Sequence, residues 1–220
     1  ARDFRRVYAL LGSHGYEIIS VGLTSKLSGT TQAAHTAAER FAGRVRVFDT
    51  RSASCGEGLL AVIAAQAAKQ GMTLAEIESL LTESQPLCHV IALAADLSYL
   101  VRGGRLPAWV RKLTNFLHIS PLVTAKNGRF GLAGITTGIG ANPVALGKAA
   151  VRKMTRDVSY RIFIAHGANP EGARELRRYI LGRHTRVHSC HLTEAGPAVG
   201  VHLGPGGLVV GFLPQPGQLN

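Results

Sequence analysis

The fold class is decided by the stretch 18-IISVGLTSKLSGT-30, in which an apolar run leads through a polar turn into an Ala-rich segment. Residues 18–23 are short, apolar and rich in branched side chains, which predicts a buried strand. Residues 30–41 have the composition and spacing of a helix. A strand that runs directly into a helix is the repeating unit of an α/β fold.

The same alternation continues on both sides of this stretch. The further predicted elements are helix 4–11, strand 45–48, helix 59–69 and a helix that opens at Thr73. Thr73 and Glu76 have the spacing of a capping box. Alternating strands and helices are typical of a parallel sheet covered by helices. We therefore predict an α/β lobe over residues 1–86, with a boundary near Pro86.

The second half of the chain has a different pattern, in which most apolar runs are neighbouring strands. Asn127-Gly128 between two apolar runs is the strongest hairpin signal in the sequence. The last two predicted strands would form a hairpin across residues 204–207. The predicted elements are strands 89–95, 119–124, 129–135, 161–165, 185–192, 199–203 and 208–213, and helices 97–100, 107–117, 144–154 and 170–181. We predict that residues 87–220 form an α+β lobe with a largely antiparallel sheet.

Composition indicates a folded chain with an excess of positive charge. Of its 220 residues, 46% are hydrophobic and 17% are charged, which is too apolar for a disordered protein. The net charge of +12 favours nucleic acid, an anionic membrane or an acidic ligand as partner. The basic residues are scattered over predicted helices without interleaved aromatics, so we expect no specific nucleic-acid partner. Transient contact with an anionic membrane stays open.

The cysteines and the charge-free tail bear on the compartment. Cys55, Cys88 and Cys190 are odd in number, far apart and without metal-ligand spacing. This pattern fits a reduced, cytoplasmic protein with no metal site. Residues 196–220 carry no charge, but prolines and glycines interrupt them, so we expect no transmembrane helix there.

One glycine pattern raises an enzymatic alternative. Residues 56–61 read GEGLLA, which matches the G-x-G-x-x-A of dinucleotide sites. The first glycine follows the strand only after seven further residues, whereas a dinucleotide site needs its glycines in the turn itself. We interpret the pattern as close helix–sheet packing and expect no cofactor. A nucleotide- or phosphate-using small-molecule enzyme is the alternative function.

The turn after the first strand is a candidate anion site. Ligands of open α/β sheets bind at the carboxyl ends of strands. Residues 24–30 place several hydroxyls beside the free amides of a helix start, which attract anions. Helix capping by Ser28 explains the same pattern, and both roles can hold at once. Three other segments supply hydroxyl, guanidinium and imidazole groups for one buried acid: DTRSAS at 49–54, RGGR at 102–105 and GVHLGPG at 200–206.

Five motifs, in this order, resemble the DegV family of bacterial fatty-acid-binding proteins: LSGT at 27–30, DTRSASxGxG at 49–58, LSYLVRGGR at 97–105, ISPL at 119–122 and GVHLGPG at 200–206. The resemblance extends along almost the whole chain. It implies an α/β lobe and an α+β lobe with a long-chain fatty acid buried between them. Because some relatives present the acyl carboxylate to a fatty acid kinase, it also implies a carrier with a kinase partner.

The resemblance implies roles for individual residues of these motifs. Ser28 would bind the ligand carboxylate, and Arg105 and His202 would belong to its hydrogen-bond network. Gly29 and Thr30 would contribute backbone amides. No residue needs to attack a bond, so we expect lipid binding without catalysis. The pocket is expected to be lined by apolar residues of both lobes: Ile63, Leu93, Phe116, Ile119 and Leu122.

The sequence departs from the family pattern in two places. The family begins with a further strand and a Thr/Ser-rich turn that also contacts the carboxylate, and nothing matches them before Ala1. We therefore expect the native chain to have further N-terminal residues. Family members usually carry basic residues after the central hairpin, where residues 134–147 have no charge. This difference argues against a kinase-binding surface at that segment.

Overall fold

Helices and strands alternate along the computed structural model, which describes residues 1–41, 43–117, 119–137 and 142–217. The helices are α1 Arg2–Ser13, α2 Thr30–Ala38, α3 Cys55–Lys69, α4 Leu74–Ser84, α5 Ser98–Arg102, α6 Ala108–Phe116, α7 Pro143–Val151, α8 Pro170–Leu181 and α9 Pro197–Leu203. The strands are β1 Ile18–Gly22, β2 Val45–Asp49, β3 His89–Leu93, β4 Ile119–Lys126, β5 Arg129–Thr137, β6 Tyr160–His166, β7 Val187–Glu194 and β8 Leu208–Pro214. Short 3₁₀ turns follow α2 at Glu39–Phe41 and α4 at Gln85–Leu87.

The strands of the described residues form two sheets. β1 and β2 run parallel, with Ile18 opposite Val45 and Gly22 opposite Asp49. The other six strands have the order β5-β4-β3-β8-β6-β7. Neighbours in this sheet are antiparallel except β6 and β7. The predicted fold class, an α/β part followed by an α+β part with a largely antiparallel sheet, is confirmed. The lobe boundary near residue 86 stays a prediction.

One face of the six-stranded sheet is covered by packed side chains, and the other face borders unfilled space. The residues of β3 explain this difference. Ile91 and Leu93 are fully buried in a core that contains apolar residues of α7 and α8. Successive side chains of a strand point to opposite faces. Val90, Ala92 and Ala94 therefore lie on the other face, where α3 packs. Alanine at two of these three positions leaves volume that no side chain fills.

Glycines allow α3 to approach this second face closely. A Cβ at Gly56 would lie 3.3 Å from the Cβ of Val90, and one at Gly58 would lie 3.5 Å from the ring of Phe163. The interpretation of the 56–61 glycine pattern as helix–sheet packing agrees with these contacts.

One predicted element is wrong, because residues 199–203 belong to helix α9 and form no terminal hairpin. Pro197 occupies the first helical turn, where a backbone N–H would have no partner within the helix, so the N–H that proline lacks costs nothing. Val199 and Leu203 lie four residues apart on the same side of the helix, whereas Val201 is 61% exposed. The alternation of these apolar residues predicted a strand, but the same residues also satisfy helical spacing.

Several other predicted elements are confirmed. β4 and β5 form the hairpin around Asn127-Gly128, and the side chains and backbones of Thr73 and Glu76 form both halves of the capping box. Part of the charge-free segment 134–147, residues 138–141, lies outside the described residues. Within the described ranges, no helix combines the length and the apolar character needed to cross a membrane.

The turn of the β4–β5 hairpin packs on the turn that follows β1. The buried Thr24 donates a hydrogen bond from Oγ1 to the carbonyl of Gly128 at 3.0 Å, and Lys26 Nζ donates to the carbonyl of Asn127 at 2.9 Å. Gly128 has φ +80°, and a Cβ there would lie 2.5 Å from Thr24 Oγ1. Glycine is therefore required at this turn both by the backbone and by the neighbour.

Gly128→Ala should lower the free energy of unfolding by about 2–3 kcal/mol, because it adds a side chain to left-handed backbone and against Thr24. Gly15→Ala is the matched control, since Gly15 has φ +83° but open space around it. Gly15→Ala should lower the free energy of unfolding by only the backbone contribution, about 1 kcal/mol. Urea denaturation of both variants measures the difference, and equal losses would contradict the packing constraint.

Candidate ligand-binding site

A cavity of about 380 Å³ lies between the six-stranded sheet, α3, α9 and the turn after β1. This volume is within the range of roughly 300–1,000 Å³ that is usual for small-molecule sites. Most of the wall is apolar. Its apolar residues are Leu23, Leu27, Ala53, Val90, Ala92, Ala94, Leu100, Val123, Ala125, Phe130, Ala198, Val199, Leu203 and Val209.

The apolar residues expected to line the pocket do not line this cavity: Ile63, Leu93, Phe116, Ile119 and Leu122. Ile63 packs in the core that α3 and α4 share, and Leu93 and Leu122 lie on the filled face of the sheet. Phe116 is 80% exposed. The residues that were expected to line the pocket have large side chains, and large side chains fill space rather than leave a cavity. The cavity exists where β3 and β4 place alanines instead.

Hydroxyl groups gather where the turn after β1 meets α2. Ser28 and Thr30 both line the cavity, and their hydroxyl oxygens lie 2.9 Å apart. Ser28 Oγ accepts a long hydrogen bond of 3.3 Å from the N–H of Thr30. Gly29 is the N-cap residue of α2 and is exposed rather than part of the cavity wall. Two hydroxyls therefore lie at the positive end of the α2 dipole, which favours an anion.

The hydroxyl-rich segment 49–54, which begins at the end of β2, lies beside the turn after β1. Ser25 donates to Asp49 Oδ2 from its amide at 3.0 Å and from its hydroxyl at 2.7 Å. Burial alone would raise the pKa of Asp49, but hydrogen bonds from Ser25 and Arg51 outweigh burial and lower it. This segment thus fixes the turn that carries Ser28.

Arg105 reaches the same end of the cavity from the turn between α5 and α6. Its Nη1 donates to the carbonyl of Gly103 at 2.5 Å, and its Nη2 donates to the carbonyl of Leu27 at 3.3 Å, next to Ser28. In the described parts of the chain, no carboxylate lies within ion-pair distance of Arg105. Its charge is therefore free to compensate an anionic ligand.

His202 brings an imidazole to the cavity from α9. Its ring packs closely on Gly103, where a Cβ would lie 2.7 Å from Cε1. Its Nδ1 is buried and has no hydrogen-bond partner among the described residues. Burial, and secondly the charge of Arg105, lower the pKa of His202. The imidazole is therefore mainly neutral at neutral pH.

Sequence reasoning missed two polar residues of the wall, Glu57 and Thr124. Ser54 is the N-cap residue of α3, and Glu57 lies three residues later, which is capping-box spacing. Burial raises the pKa of Glu57, and hydrogen bonds from the backbones of Leu23 and Ser54 oppose the rise. The S-x-x-E spacing of residues 54–57 is visible in the sequence. From the sequence, we interpreted only the glycines on either side of Glu57.

The site combines an apolar cavity with a polar end. Ser28, Thr30, Arg105 and His202, from three separate segments, all line the cavity. No group of three potential metal ligands comes together in the portion of the chain that the structure describes. The arrangement can hold an elongated apolar molecule with an anionic head.

The chain is similar to known proteins in both sequence and fold. The family model described as "Uncharacterised protein, DegV family" matches residues 1–215. A DegV domain-containing protein of Deinococcus radiodurans is 29% identical over 213 residues, which cover 96% of this chain and 75% of that protein. A DegV family protein of Thermus thermophilus, described by its fatty acid binding, is 28% identical with a TM-score of 0.87 over 97% of this chain and 76% of that one. A Thermotoga maritima protein, described as revealing a fatty acid binding function, is 25% identical with a TM-score of 0.85 over 97% and 75%.

Arg105→Gln should raise the pKa of His202, because it removes the positive charge that disfavours the imidazolium form. Arg102→Gln is the matched control from the same turn. The Arg102 guanidinium donates to Ser98 Oγ at 3.1 Å and lies 4.7 Å from the centroid of the Tyr99 ring, so its loss should leave the pKa of His202 unchanged. NMR titration of the imidazole measures both variants. An equal rise in both, or none in Arg105→Gln, would contradict the assignment.

Proposed function

Because the chain belongs to the DegV family, we propose that it binds a long-chain fatty acid in the cavity, with the carboxylate held by Ser28, Arg105 and His202. One observation carries this proposal: three residues that the family motifs implicate line a single, largely apolar cavity. The two solved relatives named above, both described by fatty acid binding, support the ligand class.

Burial of the acyl chain supplies the driving force. Each CH₂ removed from water contributes about 0.8 kcal/mol, so a sixteen-carbon chain gains on the order of 12 kcal/mol before ordering and association costs. The wall from β3, β4, β8 and α9 is almost entirely aliphatic. This gain is large enough for a carrier that retains its ligand through the cytoplasm.

The carboxylate needs polar partners, because an isolated charge in an apolar cavity is costly. The Ser28 hydroxyl donates one hydrogen bond, and Arg105 compensates the charge. His202 is neutral and donates from a ring nitrogen. Gly29 and Thr30, at the start of α2, add backbone amides and the helix dipole. All these groups bind, and none performs a chemical step, so the proposed protein has no catalysis of its own.

The proposed role is that of a cytoplasmic carrier that presents the carboxylate to a fatty acid kinase. The kinase partner is carried over from the family resemblance. Gly29, Thr30 and Arg105 are exposed, so the polar end of the cavity reaches the surface where an enzyme can meet it. The three cysteines are free thiols, in keeping with a reducing compartment.

Transient contact with an anionic membrane is a further part of this proposal. The net charge of +12 attracts the protein to acidic head groups. Trp109 and Phe116 of α6 and the adjacent Leu117 are 64%, 80% and 50% exposed, which gives the surface apolar groups for the interface.

Organic extraction of the denatured protein, followed by mass spectrometry, should release a long-chain fatty acid. Ala92→Leu should lose most of it, because the added side chain enters the cavity. Ala65→Leu, on the exposed side of α3, makes the same change outside the cavity and should retain the acid. No recovered acid and no uptake of added acid would overturn the proposal. Stabilisation by nucleotides instead, in thermal shift measurements, would favour the alternative enzyme.

Ser28→Ala should weaken fatty-acid binding roughly tenfold to a hundredfold, since a hydrogen bond to a charged group is worth about 1.5–3 kcal/mol. The melting temperature of the empty protein should not change. Ser25→Ala removes a hydroxyl from the same turn that bonds Asp49 rather than the cavity, and it should leave binding intact. Equal binding by Ser28→Ala and the parent protein would remove Ser28 from the site.

A further inference from the structure

Glu57 is an acidic side chain in the wall of the apolar cavity, and it comes from a different segment than the residues of the proposed carboxylate site. It lies in the first turn of α3, whereas Ser28, Arg105 and His202 come from the turn after β1, the α5–α6 turn and α9. None of the three ion pairs found among the described residues includes Glu57. An acyl chain in the cavity would therefore lie against a carboxyl group that no cation neutralises.

The surroundings of Glu57 explain why it is tolerated when the cavity holds no chain. The backbone N–H groups of Leu23 and Ser54 bond its carboxylate, and the α3 dipole favours a negative charge at this position. Glu57 is only partly buried, so water can reach the rest of the carboxylate when the cavity is empty. An acyl chain displaces that solvent but offers no hydrogen bond, so the charged form loses stabilisation and the neutral acid does not.

We infer that Glu57 is a further ligand-contacting residue, and that loading of an acyl chain is coupled to the uptake of one proton from solvent by its carboxylate. The inference rests on the proposed function. No bond other than the new O–H forms, and release of the ligand returns the proton to solvent. Loading is favoured at low pH and release at high pH.

The other charged groups around the cavity make a different contribution. Arg105 and His202 are the titratable side chains that share the cavity wall with Glu57, while the turn after β1 contributes Leu23 and Leu27 and strands β3, β4 and β8 contribute apolar residues and Thr124. The Asp49 carboxylate, at the end of β2, accepts hydrogen bonds from the backbone N–H groups of Ser25 at 3.0 Å and Arg51 at 2.8 Å. His202 also gains a proton more easily once a carboxylate is bound, so its contribution has to be separated from that of Glu57.

The test measures the affinity for dodecanoic acid by isothermal titration calorimetry from about pH 6 to about pH 9, in buffers of different ionisation enthalpy. The parent protein should take up close to one proton on binding in the pH range where the Glu57 carboxylate is ionised in the empty cavity and protonated in the loaded one. Its affinity should fall by up to tenfold per pH unit there. Glu57→Gln keeps the acceptor oxygen for the two amides and should lose this proton uptake and this pH dependence.

Two further variants make the result specific. Glu83→Gln makes the same chemical change on the exposed side of α4 and should keep the parent pH dependence. His202→Gln should bind more weakly but keep the part of the pH dependence that Glu57 causes. The inference is overturned if Glu57→Gln and the parent protein show the same proton uptake, or if the uptake disappears only in His202→Gln. Absence of binding by the parent protein would instead overturn the proposed function, and this inference with it.

Discussion

The alternation of side chains along β3 and β4 is the constraint on which the site depends. A strand presents every second residue to each face, so one face can be filled while the other is left open. Ile91 and Leu93 fill the face toward α7 and α8, whereas Ala92 and Ala94 line the cavity on the other side. The glycines of α3 bring the helix close at one end of this face, and the alanines leave room beside it. The cavity results from small residues at defined positions of a well-packed sheet.

Close approach of backbones brings the polar end of the site together. Thr24 bonds the carbonyl of Gly128, and Arg105 bonds the carbonyl of Leu27, so segments about a hundred and about eighty residues apart meet at one turn. Gly103 lets the ring of His202 pack against the α5–α6 turn. The hydroxyl, guanidinium and imidazole groups therefore share one cavity although each comes from a separate loop or helix.

The cavity wall has two ionisable regions with different electrostatics, one at Arg105 and His202 and one at Glu57. At the polar end, burial and Arg105 keep His202 neutral, and the charge of Arg105 is free for a carboxylate. In the first turn of α3, burial raises the pKa of Glu57 against two backbone hydrogen bonds. A ligand that is anionic at one end and apolar along its length satisfies the first region and dehydrates the second. Affinity and pH dependence would then come from different residues of one site.

The sequence by itself determined the class of the fold, the hairpin at Asn127-Gly128 and the motifs that carry Ser28, Arg105 and His202, because turns, caps and periodicity are local properties. It did not determine which apolar residues face the cavity, since β3 reads as a continuous apolar run and only sheet register assigns Ile91 and Ala92 to opposite faces. The same ambiguity made α9 look like a strand. Only tertiary packing placed Glu57 in the cavity wall, because its neighbours there come from distant parts of the chain.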